Sequence, residues 1–175
     1  MMALDLARLF LFPALMAFAA FSDLFTMTIS NRVSLILIAG FFVLAGLSGM
    51  PLATIASHVG AGLTVLVIAF ACFAFGWIGG GDAKVAASVG LWFGFSHLTD
   101  YLVYASLFGG ALTLLLLQFR ALPVPYMFRS EDWLLRLHSK ESGIPYGIAL
   151  AMGALMIYPE TDWMRAVDLT RFIGN

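Results

Sequence analysis

The sequence predicts an all-α polytopic membrane protein: a bundle of six transmembrane helices with short loops and amphipathic interfacial helices. Of its 175 residues, 62% are hydrophobic and only 11% are charged, and the mean hydropathy is +0.97. Soluble globular chains are about 45–50% apolar and about 25% charged. The apolar residues also fall into runs, most of them close to the length that crosses a bilayer. Since lipid satisfies no backbone polar group, such runs are expected to be helices.

Six apolar runs divide the chain, which we treat as one membrane-embedded domain over residues 1–175. The fourth run is short and crosses a bilayer only if it begins at Ala83 and continues towards Thr99. For the first run the alternative is a cleaved signal peptide, with Arg8 before an Ala-Phe-Ala motif. Asp5 offsets Arg8, and the apolar run continues past that motif, so we favour a retained helix. The runs are 7–29, 33–49, 57–78, 85–95, 98–119 and 144–158.

The lysines and arginines are unevenly divided between the two ends of the predicted bundle. Six of the nine follow the first, third and fifth runs, and by the positive-inside rule these loops are cytoplasmic and both termini lie outside. A net charge of −1 gives no reason to expect nucleic acid as a partner. The cytoplasmic set is Arg32, Lys84, Arg120, Arg129, Arg136 and Lys140, and the outer set is Arg8, Arg165 and Arg171.

Two polar segments have the pattern of helices that lie on a membrane surface. The loop over residues 119–143 predicts a short helix capped by Ser130 and ended by Gly143, although a solvated connector is the alternative. The tail over residues 160–175 predicts an interfacial anchor. The apolar faces would hold Trp133, Leu134 and Leu137 in the loop and Trp163, Met164 and Val167 in the tail.

Acidic side chains are rare within the apolar runs, so each is a candidate for chemistry. The predicted topology places Asp23 and Asp82 on the cytoplasmic side, and Asp100 on the other side as an ordinary interfacial residue. Two neighbouring carboxylates tend to share one proton. The ionised group then activates water, and the protonated group donates to a substrate carbonyl. Spacing alone leaves structural carboxylates, or a path for protons or ions, as alternatives.

Three glycines, Gly79, Gly80 and Gly81, stand immediately before Asp82. Because glycine is costly in a helix, we expect the backbone to leave helical geometry here. The glycines would leave room for a substrate backbone, or form a plain flexible turn. A Walker A loop is excluded because Gly81 is followed by aspartate. We expect no cofactor and no metal, since no ligand cluster has suitable spacing and Cys72 is the single cysteine.

Several motifs resemble one known family. Gly79-Gly80-Gly81-Asp82 matches the G-x-G-D motif of intramembrane aspartic proteases, and with Ala83-Lys84 the chain resembles the prepilin peptidases, or type IV leader peptidases. Asp23 precedes Ile29-Ser30-Asn31, similar to the family's Ile-Pro-Asn element. Pro145-Tyr146-Gly147 is similar to its Pro-Tyr-Gly element before the last helix.

The resemblance implies that Asp23 and Asp82 are the catalytic pair of an aspartic endopeptidase. Its substrates would be prepilins or pseudopilins, cut after a short basic leader at the cytoplasmic face of the bacterial inner membrane. The other motif residues would bind substrate or shape loops: Gly79, Gly80, Gly81, Lys84, Asn31, Pro145, Tyr146 and Gly147.

The chain departs from the family pattern in three ways. Ser30 replaces the usual proline, and Thr26, Met27 and Thr28 stand where basic residues are common. With no cysteine-paired cytoplasmic region, the chain resembles the short, peptidase-only form that serves Tad/Flp-type pili, so we expect no methyltransferase activity. Two rival hypotheses are a small ion- or proton-coupled transporter and a non-catalytic subunit of a secretion assembly. The lack of an internal repeat speaks mildly against the transporter.

Overall fold

The computed structural model describes residues 2–123 and 131–167. Every regular element in these ranges is helical, which confirms the all-α prediction. The elements are α1 (Met2–Thr26), α2 (Asn31–Leu47), α3 (Leu52–Ala74), α4 (Gly80–Ala121), α5 (Asp132–His138), α6 (Tyr146–Ile157), a 3₁₀ turn (Tyr158–Glu160) and α7 (Asp162–Arg165).

Helix α4 is interrupted at Gly94, where φ is 61° and ψ is −176°. Residues with a side chain rarely adopt these angles, so the break depends on glycine. We call residues 80–93 the first arm of α4 and residues 95–121 the second arm. The predicted runs placed a boundary between 95 and 98, just after the observed break. Gly90, one turn before the break, packs closely on Val65 of α3.

Six helical segments run alternately in opposite directions through the bundle. They are α1, α2, α3, the two arms of α4, and α6. These directions follow from contacts between residues that lie at the same end of the bundle on neighbouring helical segments. The same contacts show that the chain reverses at Gly94. The contacts are Phe12 with Trp92 and Tyr158, Ile29 with Gly81, Asp23 with Gly147, Asn31 with Lys84, Leu37 with Trp92, Phe73 with Gly80, His58 with Leu91, Ala105 with Gly153 and Gly109 with Tyr146.

The chain is a membrane protein. Helices α1, α3 and α4 are long and apolar enough to cross a bilayer, whereas α2 is apolar but has 17 residues. Helix α6 has 12 residues and is about 18 Å long, less than the ~30 Å of a hydrocarbon core. Six full crossings therefore stay a prediction. Large apolar side chains cover the outer surface, as at Val67 (68% exposed) and Phe70 (63%).

The aromatic part of the core lies at the end of the bundle opposite Asp23. Phe12, Trp92 and Tyr158 are almost fully buried, and the ring of Phe12 stacks on that of Tyr158 at 4.6 Å between centroids. Arg8 lies at the same end, where its guanidinium donates to the Ser48 hydroxyl at 2.6 Å. The largest aromatic side chains of the core thus lie away from the two aspartates.

Side chains satisfy the carbonyl groups that the break at Gly94 leaves without helical partners. The His58 Nδ1–H donates to the Leu91 carbonyl at 2.9 Å. The Trp163 Nε1–H donates to the Trp92 carbonyl at 2.8 Å, and Trp163 is only 4% exposed. Trp163 therefore packs into the core, and the interfacial tail over residues 160–175 stays a prediction. Residues 168–175 lie outside the described ranges.

Helix ends differ from the predicted runs by up to five residues. Helix α1 begins at Met2 and α3 at Leu52, each five residues before the start of the corresponding run. The surface helix of the loop is shorter than expected, because α5 begins after Glu131 and ends at His138. The expected cap, Ser130, lies outside the described ranges, as does Arg129.

Candidate active site

Asp23 belongs to the inward face of α1, one turn before the helix ends. Buried residues of α1 recur every three or four positions, which is the period of one helix face. Asp23 is 5% exposed. The apolar packing of the helix therefore directs this carboxylate into the bundle interior. The buried set is Asp5, Arg8, Phe12, Met16, Ala19 and Asp23.

The backbone of Gly147 binds the Asp23 carboxylate. The Gly147 N–H donates to Asp23 Oδ2 at 2.7 Å, and this bond is buried. Helix α6 begins at Tyr146, after Pro145, so the Gly147 N–H is one of those without a partner inside the helix. The Pro-Tyr-Gly element predicted to matter for the site therefore supplies a donor to the first aspartate.

No side chain fits at Gly147. A Cβ built there would lie 2.8 Å from Asp23 Oδ2 and 2.7 Å from Ile29 Cδ1. Real Cβ atoms essentially never approach other atoms so closely. The glycine is therefore required for the close approach of the α6 backbone to Asp23.

Asp82 is the third residue of α4. Gly79 precedes the helix with extended angles (φ −73°, ψ 147°), and its N–H donates to the Asp82 carboxylate. This is half of a capping box, in which the third helical residue reaches back to the N-cap. The half-buried Asp82 is therefore held by the turn that starts its own helix.

The three glycines before Asp82 do not all leave helical geometry, although the sequence had led us to expect this. Only Gly79 leaves helical geometry, because Gly80 and Gly81 already belong to α4. A Cβ on Gly80 would lie 3.3 Å from the ring of Phe73, and one on Gly81 would lie 3.3 Å from Ile29 Cβ. The space beside these glycines is thus filled by the chain's own side chains rather than left open.

The two aspartates lie at the same end of the bundle. The charge of Asp23 is near enough to act on Asp82. Ile29 lies between them, since its Cδ1 approaches Gly147 and its Cβ approaches Gly81. Two carboxyl groups in such a site, each with a backbone donor, have the parts needed for general acid–base chemistry.

The loop between α1 and α2 is held by hydroxyl groups, where the family pattern has proline and basic residues. The Ser22 hydroxyl donates to the Thr28 carbonyl at 2.8 Å, and the Thr26 hydroxyl donates to the Ser22 carbonyl at 2.7 Å. Ser30 is the N-cap of α2 and its hydroxyl accepts from the Arg32 N–H at 3.3 Å. These bonds give the departures from the pattern a structural reason.

Lys84 and Asn31, both predicted as site residues, contact each other. The Lys84 ammonium donates to Asn31 Oδ1 at 2.8 Å on the exposed surface. Both residues line a mainly apolar cavity of about 550 Å³ between α2, α3 and the first arm of α4, and its described lining includes neither aspartate. The pair therefore links α2 to α4 beside the site.

Two contacts link the helices around the site to each other, and no sequence pattern indicated either of them. The Tyr146 hydroxyl is 3.2 Å from Thr113 Oγ1, which ties the start of α6 to the second arm of α4. The Arg136 guanidinium donates to the Phe25 carbonyl at 3.2 Å and so ties α5 to the end of α1. Neither bond has a local sequence motif, because its partners lie far apart in the chain.

Over residues 2–123 and 131–167, the structure brings together no three histidine, cysteine or acidic side chains that could hold a metal ion. The candidate site consists of the two aspartates and their backbone donors.

Comparison with known proteins gives one match. A model of the type IV leader peptidase family matches residues 10–114, more than half of the chain. The matched region includes both aspartates and the three glycines, and it ends before the Pro-Tyr-Gly element. A search of curated proteins and a search of solved structures each found no match.

Proposed function

Because the chain belongs to the type IV leader peptidase family, we propose that it is an aspartic endopeptidase that removes leader peptides from prepilins or pseudopilins. Family membership makes it a peptidase and therefore a hydrolase. The observation that carries the finer proposal is the convergence of Asp23 and Asp82, brought from α1 and α4 to one end of the bundle.

In the proposed reaction the two carboxyl groups divide the work of acid and base. The ionised carboxylate takes a proton from water as the water oxygen attacks the carbonyl carbon of the scissile peptide bond. The protonated carboxyl donates to the carbonyl oxygen. As the carbon–nitrogen bond breaks, a proton passes to the leaving amine, so no cofactor or covalent intermediate is required.

The backbone donors support this division of roles. Gly147 donates to one oxygen of Asp23, and Gly79 donates to the carboxylate of Asp82. Hydrogen bonds to a carboxylate are stronger than neutral ones and fix its orientation. Each aspartate is thus held in a defined direction before substrate arrives.

The charges at the two ends of the bundle support a cytoplasmic site. Five basic residues of the described ranges belong to the loops and helix ends on the side of the aspartates, and two belong to the other side. By the positive-inside rule the aspartates would face the cytoplasm of a bacterial inner membrane, with both termini outside. The basic residues are Arg32, Lys84, Arg120, Arg136 and Lys140 on one side and Arg8 and Arg165 on the other.

The proposal is tested by co-expressing the protein with candidate prepilins and following loss of the leader by mass. Asp23→Asn and Asp82→Asn are each expected to reduce the cleavage rate at least about a hundredfold, as for loss of a general acid or base. Asp100→Asn is the matched control, since Asp100 is exposed on the second arm of α4 near the break at Gly94. Cleavage at the wild-type rate by either site variant, with membrane insertion verified, would refute the proposal.

A further inference from the structure

The cavity between α2, α3 and the first arm of α4 has a polar end that the proposed mechanism does not use. Its volume is about 550 Å³ and its lining is mainly apolar. Three polar side chains of the lining come from the first two turns of helices that run in parallel, Asn31 and Ser34 from α2 and Lys84 from α4. They therefore lie at the end of the bundle that holds the aspartates.

These three side chains have hydrogen-bond donors that the described part of the chain does not use. The Lys84 ammonium has three donors; it gives one to Asn31 Oδ1 at 2.8 Å and forms no ion pair within residues 2–123 and 131–167. In the same ranges the amide N–H groups of Asn31 and the hydroxyl of Ser34 have no partner, although Ser34 is only 6% exposed. Because buried polar groups normally have partners, a positive charge beside unused donors indicates a site for an anionic group.

The rest of the cavity is apolar and opens on the outer surface of the bundle. Leu35 and Leu63 line it and are 64% and 55% exposed. The lining continues along α2 as far as Phe42, eleven residues after Asn31, which is roughly 16 Å on the helix axis. This length is close to the depth of one leaflet, about half of a ~30 Å hydrocarbon core. Donors at one end and apolar side chains beyond them match the order of headgroup and acyl chain in a phospholipid.

The size of the cavity favours an acyl chain over a helix of a protein partner. A helix with its side chains is about 10 Å across, so even three turns occupy more than about 1,000 Å³. Basic pockets between membrane helices bind the headgroups of anionic lipids. Because lipid tails are as apolar as the cavity lining, the acyl chain alone gives little preference, and the donors must supply the selectivity.

We propose that this cavity binds one anionic phospholipid. Its phosphate lies against the donors of Lys84, Asn31 and Ser34, and one acyl chain follows α2 towards Phe42. The inference goes beyond the proposed peptidase function and does not depend on it, since the described lining includes neither aspartate. The bound lipid adds a second link between the starts of α2 and α4.

The test is native mass spectrometry of the purified protein with added phosphatidylglycerol or phosphatidylcholine of identical acyl chains. We expect one phosphatidylglycerol to bind about fivefold more tightly than phosphatidylcholine, which corresponds to the attraction of one basic residue to an anionic surface. Lys84→Gln is expected to abolish this preference. Arg32→Gln is the matched control, since Arg32 has the same charge at the same end but is absent from the described lining, and it should keep the preference. Equal affinities for the two lipids in wild type, or equal losses in the two variants, would overturn the proposal.

A second variant tests the place of the acyl chain. Ala87→Leu keeps Lys84 but puts a larger side chain into the cavity, which Ala87 lines, so we expect loss of the bound phosphatidylglycerol. An unchanged affinity in this variant would place the lipid elsewhere and contradict the proposal. Displacement of the phosphatidylglycerol by an added prepilin would assign the cavity to a protein helix and equally refute it, whereas retention of the lipid supports it. None of these readouts requires proteolysis, so they stay informative if the proposed peptidase function fails.

Discussion

Replacing Gly147 with alanine is the sharpest single perturbation that the site offers. The added methyl would lie 2.8 Å from Asp23 Oδ2 and 2.7 Å from Ile29 Cδ1. These distances are at least about 0.6 Å short of the 3.4 Å where ordinary van der Waals contact begins. The atom on one side is a carboxylate oxygen held at 2.7 Å by the same residue's N–H, so relief on that side breaks the bond.

The expected effect on activity follows from these distances. Losing a hydrogen bond to a charged group costs about 1.5–3 kcal/mol. A displacement approaching 1 Å at a catalytic group costs on the order of a hundredfold in rate. We therefore expect Gly147→Ala to lower kcat/KM for leader cleavage by about a hundredfold, while the protein still inserts and stays folded.

The assay is leader removal from a co-purified prepilin, followed by mass spectrometry. Gly143→Ala is the matched control, because Gly143 belongs to the segment leading into α6 and a Cβ there meets nothing within 4 Å. We expect the control to cleave at the wild-type rate. Cleavage by Gly147→Ala within threefold of wild type would show that the contact between α6 and Asp23 does not matter for catalysis.

Two further predictions concern stability at the helix break, measured by thermal unfolding of the protein in detergent. Trp163→Phe keeps a buried ring but removes the donor to the Trp92 carbonyl, and it is expected to cost about 1–3 kcal/mol; the control Trp77→Phe, 71% exposed, should cost nothing measurable. Gly94→Ala forces a side chain into a conformation with φ of 61°, with its Cβ 3.0 Å from the His58 ring, and should cost about 1–3 kcal/mol, whereas Gly110→Ala, in open space within the second arm, should be neutral or stabilising. Equal unfolding temperatures within either pair would contradict the corresponding reasoning.

The sequence predicted the helical architecture and selected the two aspartates because both depend on strong, local constraints. Long apolar runs in a chain with 11% charge leave little choice other than membrane helices. A carboxylate inside such a run is costly, so Asp23 and Asp82 were conspicuous. The contact between Lys84 and Asn31 joins two residues that the resemblance alone had grouped.

Contacts between distant parts of the chain had no counterpart in the sequence pattern. The bond from Gly147 to Asp23 joins residues on α6 and α1, and no spacing rule connects them. The segment around Trp163 has the pattern of an interfacial anchor, yet Trp163 packs its ring against Phe41 and Trp92. It also supplies the donor that the Trp92 carbonyl needs next to the break at Gly94. Local amphipathicity could not reveal that need, since it arises only when the chain reverses.

The directions of the helical segments explain why each aspartate has a glycine N–H beside it. The first arm of α4 and α6 run in the same direction, and both begin at the end of the bundle where the acids lie. A helix N-terminus carries unpaired N–H groups and a partial positive charge, which stabilise a nearby anion. Gly79 and Gly147 are the residues whose N–H groups reach Asp82 and Asp23, and a Cβ on either would lie 2.8 Å from the carboxylate that it binds. Two parallel helix starts therefore hold two like charges near each other, and only glycine permits that approach.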